Sequence, residues 1–182
     1  PGPGRGRQIA RSNERWLCFG GDCGFSRRID VLDGSTGIWA HLVSPDIMET
    51  MALDGDRLLM TSCSTGLAEH VLHEYDLVAG QWSVRRRPTD RCFSQSATIG
   101  PFTVFANGFG PLNAIYPDAE VFNRLTGEWT NFPLSIAARG RVEVVHKDSG
   151  RVFVIGGTRT FDQQSVIPNI DVFQSFPSLG VE

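Results

Sequence analysis

Short apolar runs that end at small or polar residues recur along the chain. The clearest is Val-Phe-Val-Ile at 152–155, which is followed by two glycines, a polar stretch over 158–169 and a second apolar run at 170–173. Short runs of β-branched and aromatic residues bounded by glycine are typical of buried strands. No segment shows the sustained 3.6-residue period of an amphipathic helix. The pattern therefore predicts an all-β protein of short antiparallel strands.

Tryptophan marks a repeating unit. Trp39, Trp82 and Trp129 are 43 and 47 residues apart. Each follows a glycine by two residues, an Asp or Asn by six and a large apolar residue by seven: Gly37, Gly80 and Gly127; Asp33, Asp76 and Asn123; Leu32, Tyr75 and Phe122. This frame predicts a strand, a tight turn with side-chain hydrogen bonds and a glycine of positive φ, and another strand.

Two further apolar strands precede each frame, joined by turns such as Asp54-Gly55-Asp56, in which we expect both carboxylates to be solvated. The chain thus divides into about four units of four strands, approximately 4–45, 46–88, 89–135 and 136–182. Periods of roughly 40–50 residues with four strands each predict the blades of a β-propeller. We expect the repeated aromatic residues to pack one blade against the next.

The glycine pair after the second strand of a unit, the Tyr/Phe-Asp step and the tryptophan together resemble the kelch repeat. Gly20-Gly21 and Gly156-Gly157 carry the pair, while Thr61-Ser62 and Ala106-Asn107 replace it in the other units. The resemblance covers nearly the whole chain and implies a kelch-type β-propeller of about four four-stranded blades. Because the fourth unit ends before any tryptophan, we expect an incomplete, open propeller fragment that self-associates through exposed blade ends.

No catalytic or metal-binding constellation is recognised, and we predict that the chain is not an enzyme. Gly108-Phe109-Gly110 is followed by a proline rather than a helix, which removes a dinucleotide site. The four histidines are not spaced as convergent metal ligands. Galactose oxidase, a similar propeller enzyme, needs tyrosines at its copper site, and only Tyr75 and Tyr116 are present here. We predict no cofactor; a non-catalytic portion of a larger galactose-oxidase-like enzyme remains the alternative.

Charge and cysteine pattern bear on partners and compartment. The chain has 17 basic and 20 acidic residues, without the basic excess typical of a nucleic-acid-binding protein. No apolar run reaches the length of about 18 residues that a membrane helix needs. Cys18, Cys23, Cys63 and Cys92 lie at irregular intervals, which predicts reduced thiols and an intracellular, cytoplasmic protein.

Blade geometry predicts where a partner binds. In a four-stranded meander, the loops between the second and third strands and the linkers between blades emerge on one side, which we call the loop face. It comprises residues 22–28, 63–73, 107–118 and 158–169 and the linkers 1–7, 41–49, 84–91 and 133–141. Many arginines fall in these segments, and arginine, unlike lysine, pairs bidentately with carboxylates and phosphates.

We therefore predict that the loop face binds a protein or peptide partner that is acidic or phosphorylated. The predicted binding residues are arginines with nearby aromatic anchors: Arg27, Arg28, Arg91, Arg141, Arg159, Phe25, Tyr116 and Phe161. The kelch resemblance implies a scaffold or substrate-adaptor role, although no BTB or F-box segment is recognised in these residues.

Overall fold

The computed structural model describes residues 8–12, 15–20, 27–62, 70–92, 94–110, 115–134, 143–147, 151–155 and 170–174. Every regular element in these ranges is a β-strand, and within each sheet the strands pair antiparallel in sequence order. The strands form separate sheets of three or four strands, which we call blades 1 to 4. The predicted all-β class and the meander topology of the blades are therefore confirmed.

The strand bounds follow the repeated units. Blade 1 comprises β1 (Gln8–Ser12), β2 (Trp16–Gly20), β3 (Arg28–Asp33) and β4 (Ile38–Val43). Blade 2 comprises β5 (Met48–Asp54), β6 (Arg57–Ser62), β7 (Val71–Asp76) and β8 (Gln81–Arg86). Blade 3 comprises β9 (Gln95–Ile99), β10 (Phe102–Ala106), β11 (Asp118–Asn123) and β12 (Glu128–Pro133). In blade 4 the described strands are β13 (Glu143–Lys147), β14 (Arg151–Ile155) and β15 (Ile170–Gln174).

The turn between the third and fourth strands has the predicted chemistry in blades 1 to 3. The side-chain oxygen of the Asp or Asn accepts a backbone N–H two residues later: Ser35 to Asp33 at 2.9 Å, Val78 to Asp76 at 2.9 Å and Leu125 to Asn123 at 3.0 Å. The glycine of each turn has a left-handed backbone, with φ of 72° at Gly37, 69° at Gly80 and 74° at Gly127. A side chain is disfavoured at that φ, so the repeated glycine is required by the turn.

Successive blades pack face to face along a row of first strands. β5 contacts both β1 and β9, and β9 contacts β13. Because side chains alternate between the two faces of a strand, each blade presents one apolar set to the blade before it and another to the blade after it. One cluster joins blade 1 to blade 2 and includes Cys18, Val31 and Met60. A second joins blades 2 and 3, and a third joins blades 3 and 4.

The repeated tryptophans pack between blades where a preceding blade is described. Trp82 stacks at a tilt on Tyr75, with ring centroids 4.7 Å apart, in the cluster that joins blades 1 and 2. Trp129 lies 4.9 Å from Phe122 in the cluster that joins blades 2 and 3. Trp39 is on the face of blade 1 turned away from blade 2, and it is 53% exposed. The expected interlocking role therefore applies to the second and third tryptophans.

Two expectations about single residues are wrong. Asp54 is buried rather than solvated, because it forms an ion pair with Arg124 of blade 3; burial raises the pKa of its carboxyl. Cys92 takes part in a disulfide bond, whereas Cys18 is a free thiol whose pKa burial raises to about 12. The expectation of reduced thiols fails for Cys92, so it no longer supports an intracellular compartment.

Candidate functional site

The described part of the loop face contains four of the eight predicted binding residues. Phe25, Arg141, Arg159 and Phe161 lie outside the described residues. Arg27 and Arg28 stand at the start of β3 and are exposed, Tyr116 is half-buried, and Arg91 is fully buried. The structure therefore separates the predicted set into surface arginines on blade 1 and an interior arginine between blades 2 and 3.

Arg28 is exposed but held in place by its neighbours. Its Nε donates to Asp30 Oδ1 at 2.8 Å, and its Nη2 lies 3.0 Å from Nδ1 of His41. His41 Nδ1 lies 2.6 Å from the same Asp30 oxygen. The hydrogen bond from Arg28 is the largest cause that lowers the pKa of Asp30. Asp30 and His41 thus restrict the orientation of the Arg28 guanidinium group, although the Arg28 side chain is 60% exposed.

Arg27 precedes this group and is tied to the next linker through its backbone. Its carbonyl oxygen accepts the Ser44 N–H at 2.7 Å, and Ser44 is buried in the linker that leads to blade 2. The side chain of Arg27 is exposed, and no ion pair is found for it in the described part of the chain. Two adjacent, accessible guanidinium groups therefore lie where the loop face meets the outer part of blade 1.

Arg91 does not lie at the surface, which corrects its predicted place among the accessible arginines. Its side chain is 0% exposed. Nη2 donates to Asp118 Oδ1 at 2.8 Å, Nη1 donates to the carbonyl of Asp118 at 2.9 Å and of Asn107 at 3.2 Å, and Nε donates to Thr89 Oγ1 at 2.9 Å. Four of its five N–H donors are used in this way and the group is fully buried, so it is not accessible to a partner's carboxylate.

Glu120 is the centre of this buried network. Its carboxylate accepts from Arg87 Nη2 at 2.7 Å and from Thr89 Oγ1 at 2.6 Å, and it lies 3.1 Å from Arg91 Nε. Arg87, Thr89 and Arg91 belong to the linker between blades 2 and 3, while Glu120 is on β11 of blade 3. Removing one partner of such a buried pair costs about 3–5 kcal/mol, so the network fixes the linker to blade 3.

Tyr116 packs against this network, so its ring is not a free aromatic anchor for a partner. Its ring centroid lies 4.7 Å from the guanidinium carbon of Arg91, and its hydroxyl donates to the Asp90 carboxylate. Burial and that hydrogen bond raise the pKa of Tyr116 to about 12. The hydroxyl is therefore neutral at physiological pH and remains a donor to Asp90.

The segment after β10 pairs with the same linker. Cys92 and Phe109 exchange backbone hydrogen bonds of 2.7 and 2.8 Å. Asn107 adopts a left-handed φ of 56°, and Gly108 follows with a φ of 112°. A Cβ at Gly108 would lie 2.5 Å from the Cys92 carbonyl oxygen, a distance that a side chain does not tolerate. The glycine of the Gly-Phe-Gly segment thus serves backbone packing.

The charge pattern of the sequence did not indicate that Arg87 and Glu120 form a buried ion pair. One signal was available for Glu120, since strict alternation along β11 places it on the same face as Phe122, which packs between blades. An acid on that buried face requires a cation nearby. Nothing comparable marked the linker arginines, because a linker has no period from which burial can be inferred.

Metal-binding and membrane-spanning features are not found in the described ranges. There, no group of three or more His, Cys, Asp or Glu side chains is arranged to hold a metal ion. Within the same ranges, the search found no helix with the length and apolar character needed to cross a membrane.

Two curated proteins of Arabidopsis thaliana are similar to the chain, whereas no protein-family model matches it. The F-box/kelch-repeat protein At1g74510 is 35% identical over 92 residues, which are 50% of this chain and 20% of that protein. The F-box/kelch-repeat protein SKIP11 is 28% identical over 119 residues, which are 65% of this chain and 25% of that protein. The chain thus spans a quarter or less of the length of these relatives. This similarity and the antiparallel four-stranded blades confirm the resemblance of the chain to kelch-repeat proteins.

Proposed function

We propose that the chain is a non-catalytic protein-interaction module of scaffold or substrate-adaptor type. Support comes from its similarity to proteins named F-box/kelch-repeat and from a framework in which the repeated residues serve turns and packing. Because the repeated aromatic residues of blades 2 and 3 pack between blades, we assign partner binding to the loop face. Its partner, in this proposal, is a protein segment that is acidic or phosphorylated.

The observation that carries the acidic-partner proposal is the exposed pair Arg27 and Arg28. Charge-assisted hydrogen bonds from a guanidinium fork to a carboxylate or phosphate are among the stronger polar contacts in proteins. Arg28 loses less conformational freedom on binding, because Asp30 and His41 already restrict it. Arg86, which ends β8, is a further exposed arginine on the loop face. Arg141 and Arg159, with Phe25 and Phe161, remain predicted members of the site.

The buried arginines support the same surface indirectly. Arg87 and Arg91 fix the linker that follows Arg86, so the proposed surface rests on a positioned backbone. Tyr116 belongs to this supporting layer because its ring covers Arg91. We therefore assign Arg91 and Tyr116 a positioning role and reserve direct partner contact for Arg27, Arg28 and Arg86.

Peptide binding tests this proposal. A fluorescent peptide that contains a glutamate cluster, its phosphoserine counterpart and its glutamine counterpart are titrated with the chain. We expect the two anionic peptides to bind and the glutamine peptide to bind at least about tenfold more weakly. Affinity should fall as salt rises, since the contacts are exposed.

Variants locate the binding surface. The double variant Arg27→Ala/Arg28→Ala should weaken anionic binding about tenfold, because two charge-assisted contacts are lost. Arg151→Ala is the matched control, since Arg151 is an exposed arginine that starts β14 at the side opposite the loop face. Equal binding of the anionic and glutamine peptides would refute the acidic-partner proposal, and unchanged binding by the double variant would refute the assignment of Arg27 and Arg28 to the binding site.

A further inference from the structure

The face of blade 1 that is turned away from blade 2 has the same construction as the faces by which blades 2 and 3 pack on the blade before them. In all three blades, the large apolar residue of the repeated frame is paired across the third and fourth strands with the tryptophan: Leu32 with Trp39, Tyr75 with Trp82 and Phe122 with Trp129. The aromatic pairs of blades 2 and 3 pack on the preceding blade. Trp39 of blade 1 is instead 53% exposed. Blade 1 therefore presents, in an accessible position, the kind of surface on which another blade packs.

Further apolar side chains extend this surface, which we call the open face of blade 1. Leu17 is opposite Leu32 in the register of β2 and β3 and is half-buried. Val43 is 70% exposed and lies on the same side of β4 as Trp39, because side chains at every second position of a strand share a face. These four residues span three neighbouring strands of the blade.

The open face of blade 1 also contains a carboxylate that already has partners in its own blade. Asp30 lies nine residues before its tryptophan, as Glu120 does in blade 3. In blade 3 this acid is buried and paired with arginines of the adjoining linker. Asp30 instead forms an ion pair with Arg28 and a hydrogen bond with His41. A blade packed on this face would therefore not leave the carboxylate without a counterion.

Blade 4 has an exposed apolar face of the opposite kind. Val152 and Val154 pack on blade 3, so the alternate residues of β14 and their partners on β15 lie on the other side of the sheet. We call this side the open face of blade 4. Its apolar side chains, one half-buried and three exposed, are Phe153, Ile155, Ile170 and Val172. The corresponding face of blade 3 is also apolar, and it is buried against blade 4.

Each interface within the chain packs the side of one blade that faces forward on the side of the next blade that faces back. The open face of blade 4 is of the first kind and the open face of blade 1 is of the second, and both are exposed in the single chain. We propose that the open face of blade 4 in one copy of the chain docks on the open face of blade 1 in a second copy. Two different surfaces meet in this contact, so it is head to tail and can repeat. This proposal does not rest on the proposed function, and either can fail alone.

Complementary variants test this contact by sedimentation velocity. Trp39→Asp places a carboxylate on the open face of blade 1, and Ile170→Asp places one on the open face of blade 4. Each change should weaken docking at least about a hundredfold, because a charge without a partner is costly in an apolar interface. For the unaltered chain, we expect the apparent mass to rise with concentration beyond that of a dimer. Each variant alone should remain monomeric, and their equimolar mixture should form a dimer, since each variant keeps one intact open face.

The controls separate head-to-tail docking from other association. Leu125→Asp changes an exposed turn residue of blade 3 and should associate like the unaltered chain. Self-association of Trp39→Asp or of Ile170→Asp alone would overturn the proposal, because two copies of the same face would then be pairing. An unaltered chain that stays monomeric would also overturn it, as would a monomeric mixture of variants that circular dichroism shows to be folded.

Fluorescence of the unaltered chain decides the question if a variant does not fold. The emission of Trp39 is obtained as the difference between the unaltered chain and Trp39→Phe, which keeps an aromatic ring at that position. Docking covers Trp39, so its emission should shift to shorter wavelength as the concentration rises. An emission spectrum that does not change with concentration would overturn the proposal.

Discussion

Two blade interfaces, which we call joints, carry different polar residues at the same strand position. One joint lies between blades 1 and 2 and the other between blades 2 and 3. The residue nine positions before the tryptophan is His73 in blade 2 and Glu120 in blade 3, and both face the preceding blade. The Glu120 carboxylate accepts hydrogen bonds from Arg87 and Thr89 of the adjoining linker and forms an ion pair with Arg91 of the same linker. His73 is 7% exposed, and both of its ring nitrogens have no hydrogen-bond partner among the described residues.

The repeat specifies packing and leaves the polar part of each joint free to differ. Both joints contain a tryptophan against an aromatic residue two positions from the polar one. The joint between blades 2 and 3 adds a buried ionic network, whereas the joint between blades 1 and 2 buries the His73 imidazole and has an exposed ion pair of Arg15 with Asp56. The joint between blades 1 and 2 should therefore depend mainly on apolar packing, because an exposed ion pair contributes little, and the joint between blades 2 and 3 should depend on both kinds of interaction.

The largest effect is expected from Glu120→Gln. This change leaves Arg87 and Arg91 buried with one negative charge fewer, so we expect a loss of about 4 kcal/mol in the free energy of unfolding. Urea denaturation measures it, with Glu128→Gln as the control because Glu128 is an exposed glutamate on β12. A loss equal to that of the control would show that the network does not stabilise the joint.

Truncation of Trp129 and of Trp39 should have different effects, because one ring is packed between blades and the other is exposed. Trp129→Ala should cost about 3 kcal/mol, since the ring packs on Phe105 and Phe122 between blades. Trp39→Ala should cost about 1 kcal/mol, because that ring is half exposed. Thermal unfolding of the two variants compares them, and equal losses would contradict the assigned difference in packing.

Sequence periodicity predicted the strands and turns well because both depend on nearby residues. The Asp33 turn, for example, needs only its own side chain and a glycine four positions later. The burial of Arg91 and of Asp54 could not be predicted in this way, since each depends on a residue brought close by folding: Asp118 in one case and Arg124 in the other. Adding up the charges of a segment cannot distinguish a guanidinium group inside a joint from one in solvent.

Acidification should weaken the joint that contains His73. Burial lowers the pKa of this histidine below its ordinary value of 6.5, so the unfolded chain binds a proton first as the pH falls. Stability should therefore begin to decline below about pH 6.5 and level off below the folded-state pKa. Urea denaturation of the chain and of His73→Gln across this range isolates the effect, and an identical pH dependence of both would contradict it.

Self-association is the smallest effect expected, and it remains a proposal. Ile155, Ile170 and Val172 are exposed on the side of blade 4 opposite Val152 and Val154, which pack on blade 3. We expect the apparent mass from light scattering to rise with concentration and to rise less in Ile170→Ser/Val172→Ser. Leu125→Ser, which alters an exposed turn residue, is the control. A concentration-independent monomer would refute self-association.

Arginine accessibility tests directly whether the loop-face arginines divide into exposed binding residues and buried positioning residues. Phenylglyoxal modification of the native chain, followed by mass spectrometry, gives a reaction rate for each arginine. Arg27 and Arg86 should react at rates close to those of arginine in an unfolded peptide, and Arg87 and Arg91 should react only after denaturation. Modification of Arg91 in the native chain as fast as that of Arg27 would contradict this division.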